Sequence, residues 1–419
     1  MNTQELLKLI DERKEELFEL LSSFIKINSE NFDSYGNEEE LARYIHKMCE
    51  EMGLESDLYS PLDIPDFENH PDYLPGKGLE NRYNVTARWR GEEDVDELML
   101  MGHTDTVEIG LLKSWDKEPL SGEISDGKIW GRGAGDDKYA LATSLFVIKL
   151  LKEMGFKPKK NLLFTAYSDE EHGGSHGALA AVLKYPAPKI VSMDGAEDQI
   201  WHCGSGGGEA YYNYHVEETV DSAKRAAMAL PIVLEEIDTF AENRRRELEE
   251  NRFYKGTIIP DTCLRYMDIQ IGDTGVDLNK GKLTFTYYTD KTKDEIFKEF
   301  DEVHERLAKR LAPLGIKSDG FSLKTRFFHY VFTEPDAIDI KTMCEAAIEA
   351  TGTAPLVCGS CLSDLSVISK YGSSAAFGFG MGRDFSLPGG AHQPNEFIYC
   401  DKFVEYTKII AAFVMKVLG

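Results

Sequence analysis

The spacing of apolar residues changes along the chain, and each pattern predicts a different element. Apolar residues recur at helical spacing over residues 3–26, and a second helix is predicted over 37–53. Short unbroken apolar runs at 98–101 and 161–167 are typical of strands buried on both faces. Such strands belong to open α/β sheets, in which ligands bind beyond the strand ends.

Residues with metal-binding chemistry follow the first of these runs. The sequence LMLMGHTDTV predicts that the strand ends at Gly102 and is followed by His103 and Asp105. At strand spacing the last two side chains point the same way. A histidine with a nearby carboxylate can be a metal ligand with the group that orients it, since the carboxylate fixes the imidazole tautomer. The alternative is a turn histidine beside a capping aspartate.

Acidic residues or a histidine occur in four further clusters, most of them just after strand-like runs. Each has a simpler interpretation, such as a helix N-cap pair, a solvated acidic turn or a loop histidine. However, three adjacent acids at 169–171 would repel one another in a partly buried site, and a dication relieves that repulsion. The clusters are GRGAGDDK with Asp136 and Asp137, SDEEHGGSHG with Glu170 and Glu171, VSMDGAE with Asp194, and GGAHQPNE with His392.

In this order the clusters resemble the M20 family of di-zinc amidohydrolases and peptidases. The motifs are HTD, GRGxxDDK, DEExGxxG, an isolated Asp and AHxPNE, and they cover residues 1–207 and 335–419. The resemblance implies that Glu170 is the general base and that Asp105 orients His103. It also implies two divalent metal ions, zinc with cobalt or manganese as possible substitutes. Their ligands would be His103, Asp136, Glu171, Asp194 and His392, with Asp136 shared by both ions.

The resemblance further implies an α/β catalytic domain with a mixed sheet, formed by residues 1–207 plus 335–419. An α+β, ferredoxin-like lid domain is expected at residues 208–334. Strands at 209–217, 264–272, 282–289 and 321–330 and helices at 221–250 and 292–311 give the expected β-α-β-β-α-β order. Edge strands of such lids commonly pair two subunits, so we expect a homodimer through the lid domain.

The lid departs from the family pattern on its substrate side. Family members carry a Gly-x-x-x-His segment and an Asp-x-Arg pattern, whereas VEETVDSAKRAAM and LTFTYYTDKT contain neither the His nor the Arg. Tyrosine hydroxyls cannot form the bidentate clamp of a guanidinium on a carboxylate. A substrate that depends less on a terminal carboxylate is therefore expected. The candidate replacements are Tyr287, Tyr288, His215 and Arg82.

Length, charge and cysteine content limit the binding partners and the cellular location that we expect. The length of 419 residues allows two domains, and the formal net charge of −26 excludes nucleic acid as a favoured partner. No apolar run is long enough to cross a membrane, and the charged N-terminus does not match a signal peptide. Seven scattered cysteines, an odd number, indicate reduced thiols and a cytoplasmic location.

The predicted function is hydrolysis of an amide C–N bond in a small-molecule substrate by a metal-bridging water. That substrate would be an N-acyl or N-carbamoyl amino acid or a small peptide. A dipeptidase or carboxypeptidase activity is the first alternative. Two others are a non-catalytic metal-binding relative and a thiol redox site at the CxxC of Cys358 and Cys361.

Overall fold

The computed structural model describes residues 2–217, 221–272 and 278–419. It divides into two compact units. The first comprises Met1–Cys203, Phe332–Cys358 and Val367–Gly419, and the second comprises Gly204–Val331 and Gly359–Ser366. The roles expected for residues 1–207 plus 335–419 and for residues 208–334, a metal-binding domain and a lid, stay predictions.

Helices and strands alternate over most of the chain, so the α/β fold class is confirmed. The described residues form the α-helices α1 Thr3–Glu12, α2 Lys14–Ile25, α3 Glu39–Glu51, α4 Lys138–Glu153, α5 His176–Lys184, α6 Ser222–Glu250, α7 Lys293–Leu311, α8 Ile338–Thr351, α9 Leu365–Val367 and α10 Cys400–Leu418. The strands are β1 Glu55–Tyr59, β2 Asn84–Trp89, β3 Asp96–His103, β4 Ile124–Ser125, β5 Lys128–Trp130, β6 Asn161–Tyr167, β7 Lys189–Ser192, β8 Gln199–Gly204, β9 Gly206–Val216, β10 Leu264–Ile271, β11 Lys280–Thr289, β12 Ile316–Leu323, β13 Val331–Phe332, β14 Val357–Gly359, β15 Phe377–Gly380 and β16 Phe397–Tyr399.

A mixed sheet organises the first unit. Its strands follow the order β1-β2-β6-β3-β7-β15-β8, and the four strands from β6 to β15 are parallel. His103 pairs with Tyr167 at the end of β3 and β6, and Met101 pairs with Ser192 at the end of β7. Because these strands end at one edge of the sheet, the loops that follow them emerge side by side.

Two local predictions for this unit were wrong. The helix predicted over residues 3–26 is interrupted at Arg13, whose φ of −117° ends α1 and begins α2. Gly102 does not end its strand, because β3 continues through His103. A Cβ at Gly102 would lie 2.8 Å from an Asp137 oxygen and 2.9 Å from Ala140 Cβ. The glycine therefore lets α4 approach the strand closely.

The second unit has the predicted β-α-β-β-α-β order. Its four antiparallel strands follow the order β10-β11-β9-β12, and α6 and α7 pack against them around Phe240, Phe285 and Phe300. The last strand was predicted over residues 321–330 but lies at Ile316–Leu323, where burial alternates from residue to residue. Residues 218–220 of VEETVDSAKRAAM lie outside the described residues.

Helix length and composition also bear on the membrane prediction. Within the described parts of the chain, we find no helix with the length and apolar character needed to span a bilayer.

Candidate metal centre and active site

Three predicted ligands lie together at the edge of the mixed sheet. His103 ends β3, Asp136 lies just before α4, and Glu171 follows β6. Each side chain offers one ligand atom, and the three atoms lie within 4.8 Å of one another. Among residues 2–217, 221–272 and 278–419, this is the one group of at least three His, Cys, Asp or Glu side chains so closely placed.

His392 comes to the same group from a loop near the C-terminus. Its Nε2 is 3.0 Å from Asp136 Oδ2 and 2.8 Å from Glu171 Oε2. The other carboxylate oxygen of Asp136 is 2.9 Å from His103 Nε2. Asp136 therefore lies between two imidazoles, with one imidazole beside each of its carboxylate oxygens.

Asp194 and Glu170 emerge from the same edge of the sheet but are not members of the compact group. Asp194 follows β7. Burial raises the pKa of Asp137 well above its usual value, and the charges of Asp194 and Asp136 raise it further. Glu170 follows β6, and its charge adds to a raised pKa of His103. Burial alone would lower that pKa, but the carboxylates of Asp105 and Asp136 beside the two ring nitrogens raise it.

The electrostatics of the group fit a divalent cation. The charge of Glu171 and the hydrogen bonds to Asp136 and Glu171 raise the pKa of His392 to about 12, so negative charge is in excess. A dication offsets such an excess. The buried Oδ1 atoms of Asp105 and Asp137 have no hydrogen-bond partner in the described structure. Imidazole nitrogens and carboxylate oxygens are ligands that zinc, cobalt and manganese accept.

The backbone fixes the tautomer of His103. Its Nδ1 is 2.9 Å from the carbonyl oxygen of Asp105 and 3.6 Å from the carboxylate of the same residue. A carbonyl can only accept, so Nδ1 carries the proton and donates it. A ring that has given up its Nε2 proton, as binding of a metal ion requires, would therefore direct the Nε2 lone pair at the group around Asp136.

The carboxylate of Asp105 has a second task that the sequence did not indicate. Its Oδ2 accepts the backbone N–H groups of Glu170 at 2.9 Å and Glu171 at 3.1 Å. Asn31 donates to the same oxygen at 2.8 Å. Burial alone would raise the pKa of Asp105, but His103, Asn31 and these N–H groups lower it to about 2. One carboxylate therefore contacts His103 and holds the backbone of the two glutamates.

A buried ion pair of Arg82 with Asp169 and Glu38 supports the loop that carries Glu170 and Glu171. Arg82 Nη1 is 2.7 Å from Asp169 and 2.9 Å from Glu38, and all three side chains are fully buried. Asp169 precedes the two glutamates and has a φ of +63°, a conformation that L-residues rarely adopt. His176 holds its second oxygen at 2.6 Å. The side-chain charges around Asp169 thus maintain a strained backbone.

This ion pair corrects one prediction. Arg82 was a candidate for binding the substrate, but it is fully buried and committed to Asp169 and Glu38. His176, the other side chain that contacts Asp169, accepts the N–H of Leu74 at 3.1 Å on Nε2. Its Nδ1 therefore carries the proton and donates it to Asp169.

A second buried ion pair fixes the loop that carries His392. Arg132 Nη1 is 2.6 Å from Glu396 Oε2, and Glu396 Oε1 accepts the N–H of Gly135 at 2.7 Å. Arg132 also donates to the carbonyl of His392 at 3.3 Å. Both residues belong to the motifs GRGAGDDK and GGAHQPNE, but only the structure shows that they pair. The pair couples His392 to the segment before Asp136.

Tyr287, which was also predicted to bind the substrate, is too buried to do so. Tyr287 is fully buried in the core of the second unit, where its ring centroid lies 5.7 Å from that of Phe240 and 5.5 Å from that of Phe300. The prediction that it binds the substrate is therefore wrong. His215 forms an ion pair with Asp319 at 2.9 Å.

The CxxC pair does not have the character of a redox site. The Cys358 thiol donates to Gln199 Oε1 at 3.2 Å, and burial raises its pKa. A reactive cysteine needs the opposite, because the thiolate is the nucleophile. The thiol redox alternative therefore has no structural support at Cys358.

Comparison with known proteins identifies the class. The model of peptidase family M20/M25/M40 matches residues 99–416, which is most of the chain, so the chain belongs to this family. The predicted family resemblance is thereby confirmed. The protein is an enzyme, a hydrolase of a metal-dependent family.

Curated relatives carry several activities in their names. The chain is 39% identical over 98 residues (23% of the chain, 19% of the relative) to a probable carboxypeptidase S-like protein of Dictyostelium discoideum. It is 42% identical over 85 residues (20% and 23%) to a succinyl-diaminopimelate desuccinylase of Wigglesworthia glossinidia brevipalpis. It is 36% identical over 127 residues (30% and 26%) to a Beta-Ala-Xaa dipeptidase of Lactobacillus delbrueckii. Each match spans about a quarter or less of the relative's length.

Solved structures share the fold over nearly the whole chain. The dipeptidase Dug1p of Saccharomyces cerevisiae superposes with a TM-score of 0.74 at 17% identity, covering 99% of this chain and 98% of that one. The YXEP protein of Bacillus subtilis, a dinuclear metal-binding peptidase of the M20 family, gives 0.62 at 14% identity, covering 97% and 98%. At these identities the likeness concerns the fold alone.

The buried pair beneath the glutamates generates the first prediction. Replacing Arg82 with methionine leaves Asp169 and Glu38 buried without their cation. Breaking such a pair costs about 3–5 kcal/mol of unfolding free energy. We also expect kcat of the folded enzyme to fall by about 10²-fold, because Glu170 and Glu171 shift. Thermal unfolding and steady-state kinetics measure the two effects.

Arg244→Met is the matched control. Arg244 is equally buried and pairs with Glu299 at 2.7 Å, but it lies in the second unit. We expect a similar loss of stability with an unchanged kcat of the folded fraction. Equal losses of kcat in both variants would contradict a positioning role for Arg82.

Proposed function

We propose that this enzyme hydrolyses the amide C–N bond of an N-acyl or N-carbamoyl amino acid or of a small peptide. The observation that carries the proposal is the convergence of His103, Asp136, Glu171 and His392, with Glu170 on the same loop as Glu171. A carboxylate beside a group of metal ligands is the arrangement used to activate water for attack on a carbonyl.

Each predicted ligand has a place in the proposal. Asp136 would be shared by two ions, because each of its oxygens faces a different imidazole. Glu171 and His392 would complete one site, and His103 and Asp194 the other. Two bound divalent ions would polarise the amide carbonyl and lower the pKa of a water toward neutrality. Zinc is our first choice, with cobalt or manganese as substitutes.

The side chains of the protein then move the proton. Glu170 takes a proton from the attacking water and passes it to the leaving nitrogen. The hydrogen bond from the Glu170 backbone N–H to Asp105 fixes the backbone from which the Glu170 side chain extends. The carbonyl of Asp105 keeps one proton of the His103 ring on Nδ1, so Nε2 would be the nitrogen that binds a metal ion.

Hydrolysis of an acyl amino acid and hydrolysis of a dipeptide are the same reaction, because both cleave an amide C–N bond. The desuccinylase relative favours removal of an acyl group, and the Beta-Ala-Xaa dipeptidase relative favours cleavage of a dipeptide. A panel of N-acyl amino acids, N-carbamoyl amino acids and dipeptides, assayed with added zinc, cobalt or manganese, separates them. Hydrolysis of none of these compounds by metal-loaded enzyme would refute the proposed function.

We also propose a cytoplasmic location and a homodimer for this enzyme. No disulfide joins any of the seven cysteines, all of which lie in the described residues, and this supports a cytoplasmic location. A homodimer through the second unit is supported by strand β10, the edge of its sheet, where Tyr266, Met267 and Ile269 are exposed. An apolar edge strand is a ready surface for pairing with a second copy.

The ligand set predicts the metal content. Protein stripped with a chelator should lose activity and regain it on reloading, with about two equivalents of divalent metal bound per chain. Elemental analysis and calorimetric titration measure this number. His392→Ala should retain about one equivalent, because it removes a ligand of one ion. Full activity of metal-free protein would contradict this assignment.

The proposed base can be tested without disturbing the metal. Glu170→Gln removes the proton acceptor at nearly constant volume, so we expect kcat to fall by about 10²–10⁴-fold with unchanged metal content. Glu118→Gln, at an exposed acid in the same unit, is the control and should behave as wild type. If Glu170→Gln stays within a few-fold of wild type, another group is the base.

The dimer prediction concerns β10. Light scattering should give twice the chain mass of 47.2 kDa for the wild type. Met267→Lys with Ile269→Lys should shift the mass toward the monomer, because charges at an edge strand oppose pairing. Ile338→Lys, at an exposed residue of α8, is the control. A monomeric wild type, or a double variant that remains dimeric, would exclude this interface.

A further inference from the structure

Two loops beside the proposed metal centre expose large apolar side chains. Leu111 and Leu112 are 66% exposed, Phe385 is 57% exposed and Leu387 is 41% exposed. We call these four residues the apolar rim. Single exposed apolar residues are common, but several grouped around a polar site mark a surface that binds something.

Phe385 stands directly beside a proposed ligand. Its ring is stacked on His392, with centroids 6.4 Å apart and an interplanar angle of 20°. The side chain of Gln393, the next residue, donates to the carbonyl of Phe385 at 2.8 Å. The phenyl ring is therefore held next to the cluster while more than half of it stays accessible.

The two leucines lie on a turn that is attached to another ligand. The N–H of Val107, where this loop begins, donates to Glu171 Oε1 at 3.0 Å. Trp115 closes the loop, because its indole N–H donates to the carbonyl of Ile109 at 2.9 Å. A short turn at 112–114 thus holds Leu111 and Leu112 outward in a defined place.

The two loops are joined to each other. Asn395 accepts the N–H of Asp116 at 2.7 Å and donates to its carboxylate at 3.0 Å. Arg132 links them a second time, since its guanidinium lies 5.2 Å from the Trp115 ring centroid and also donates to the carbonyl of His392. The rim residues therefore belong to two loops that are joined to each other, and each loop contacts a proposed ligand, Glu171 or His392.

Charge in the loops favours an apolar occupant over an acidic one. Glu108, Asp116 and Asp384 oppose Lys113 and Arg383, so the loops carry a net negative formal charge apart from His392. The Arg383 guanidinium lies over Phe397, 4.3 Å from its centroid, and donates to the carbonyl of Pro388. A second carboxylate on an acyl group would find little positive charge at these loops.

We propose that the apolar rim binds an apolar acyl chain of the substrate. This inference rests on the proposed function and names the substrate class for the same site. It distinguishes substrates with medium-length apolar acyl groups from acetyl or succinyl compounds. The rim residues are specificity determinants that do not take part in the proton transfers.

The test uses N-acyl alanines with acetyl, butyryl, hexanoyl and octanoyl groups and the metal-loaded full chain. We expect kcat/KM to rise by about two- to fourfold per added methylene, in line with burial of part or all of each group. The double variant Leu111→Ser with Leu112→Ser, and separately Phe385→Ser, should flatten this rise, so that each loses more kcat/KM on octanoyl-alanine than on acetyl-alanine. Ile348→Ser, an exposed residue on α8, is the control.

A binding measurement gives a second readout. Dissociation constants of acetate, butyrate, hexanoate and octanoate, measured by calorimetry on the Glu170→Gln protein, should fall with chain length and respond to the rim variants in the same way. Hydrolysis with no dependence on chain length would overturn the inference while the proposed function stands. Equal losses for all chain lengths in the rim variants would also overturn it.

A failure of the proposed function has a different signature. In that case no acyl alanine or dipeptide is hydrolysed under any metal. The carboxylate series still decides the inference, because length-dependent binding that the rim variants abolish supports an apolar subsite, and length-independent binding overturns it.

Discussion

The loop that carries Glu170 and Glu171 depends on the buried positive charge of Arg82. Arg82 pairs with both Asp169 and Glu38, and without it the carboxylate of Asp169 would be buried near Asp105 without this cation. Burial raises the pKa of Glu38 to about 8, and the charge of Asp105 adds to that shift, so negative charge is already crowded here. The guanidinium makes the left-handed backbone at Asp169 tolerable.

A chain of buried hydrogen bonds connects this ion pair to Glu170 and Glu171. Asn31 connects it to Asp105, since it accepts from Arg82 and donates to Asp105. Asp105 in turn receives the N–H groups that precede two carboxylates with different proposed tasks, proton transfer for Glu170 and metal ligation for Glu171. On the opposite side, Glu396 and Arg132 serve His392 in the same way. Buried polar groups thus orient the reactive ones.

The sequence predicted the family and the fold class, and both are confirmed. It also placed the candidate ligands at strand ends, which the parallel sheet brings to one edge. It could not predict partners that are distant in the chain. Arg82 has the residue type of a substrate clamp, and only its burial against Glu38 and Asp169 excludes that role. Tyr287 fits either a core or a pocket until Phe240 and Phe300 are found around it.

His392 and Glu396 follow the second unit in the chain, whereas their partners Asp136 and Arg132 precede it. A ribosome must therefore synthesise more than nine-tenths of the 419 residues before this cluster can close. Until then the nascent chain carries His103, Asp136 and Glu171 without their last histidine. The α10 helix, which supplies core residues to the first unit, is made later still. A chain that stops before His392 is thus unable to form the complete cluster.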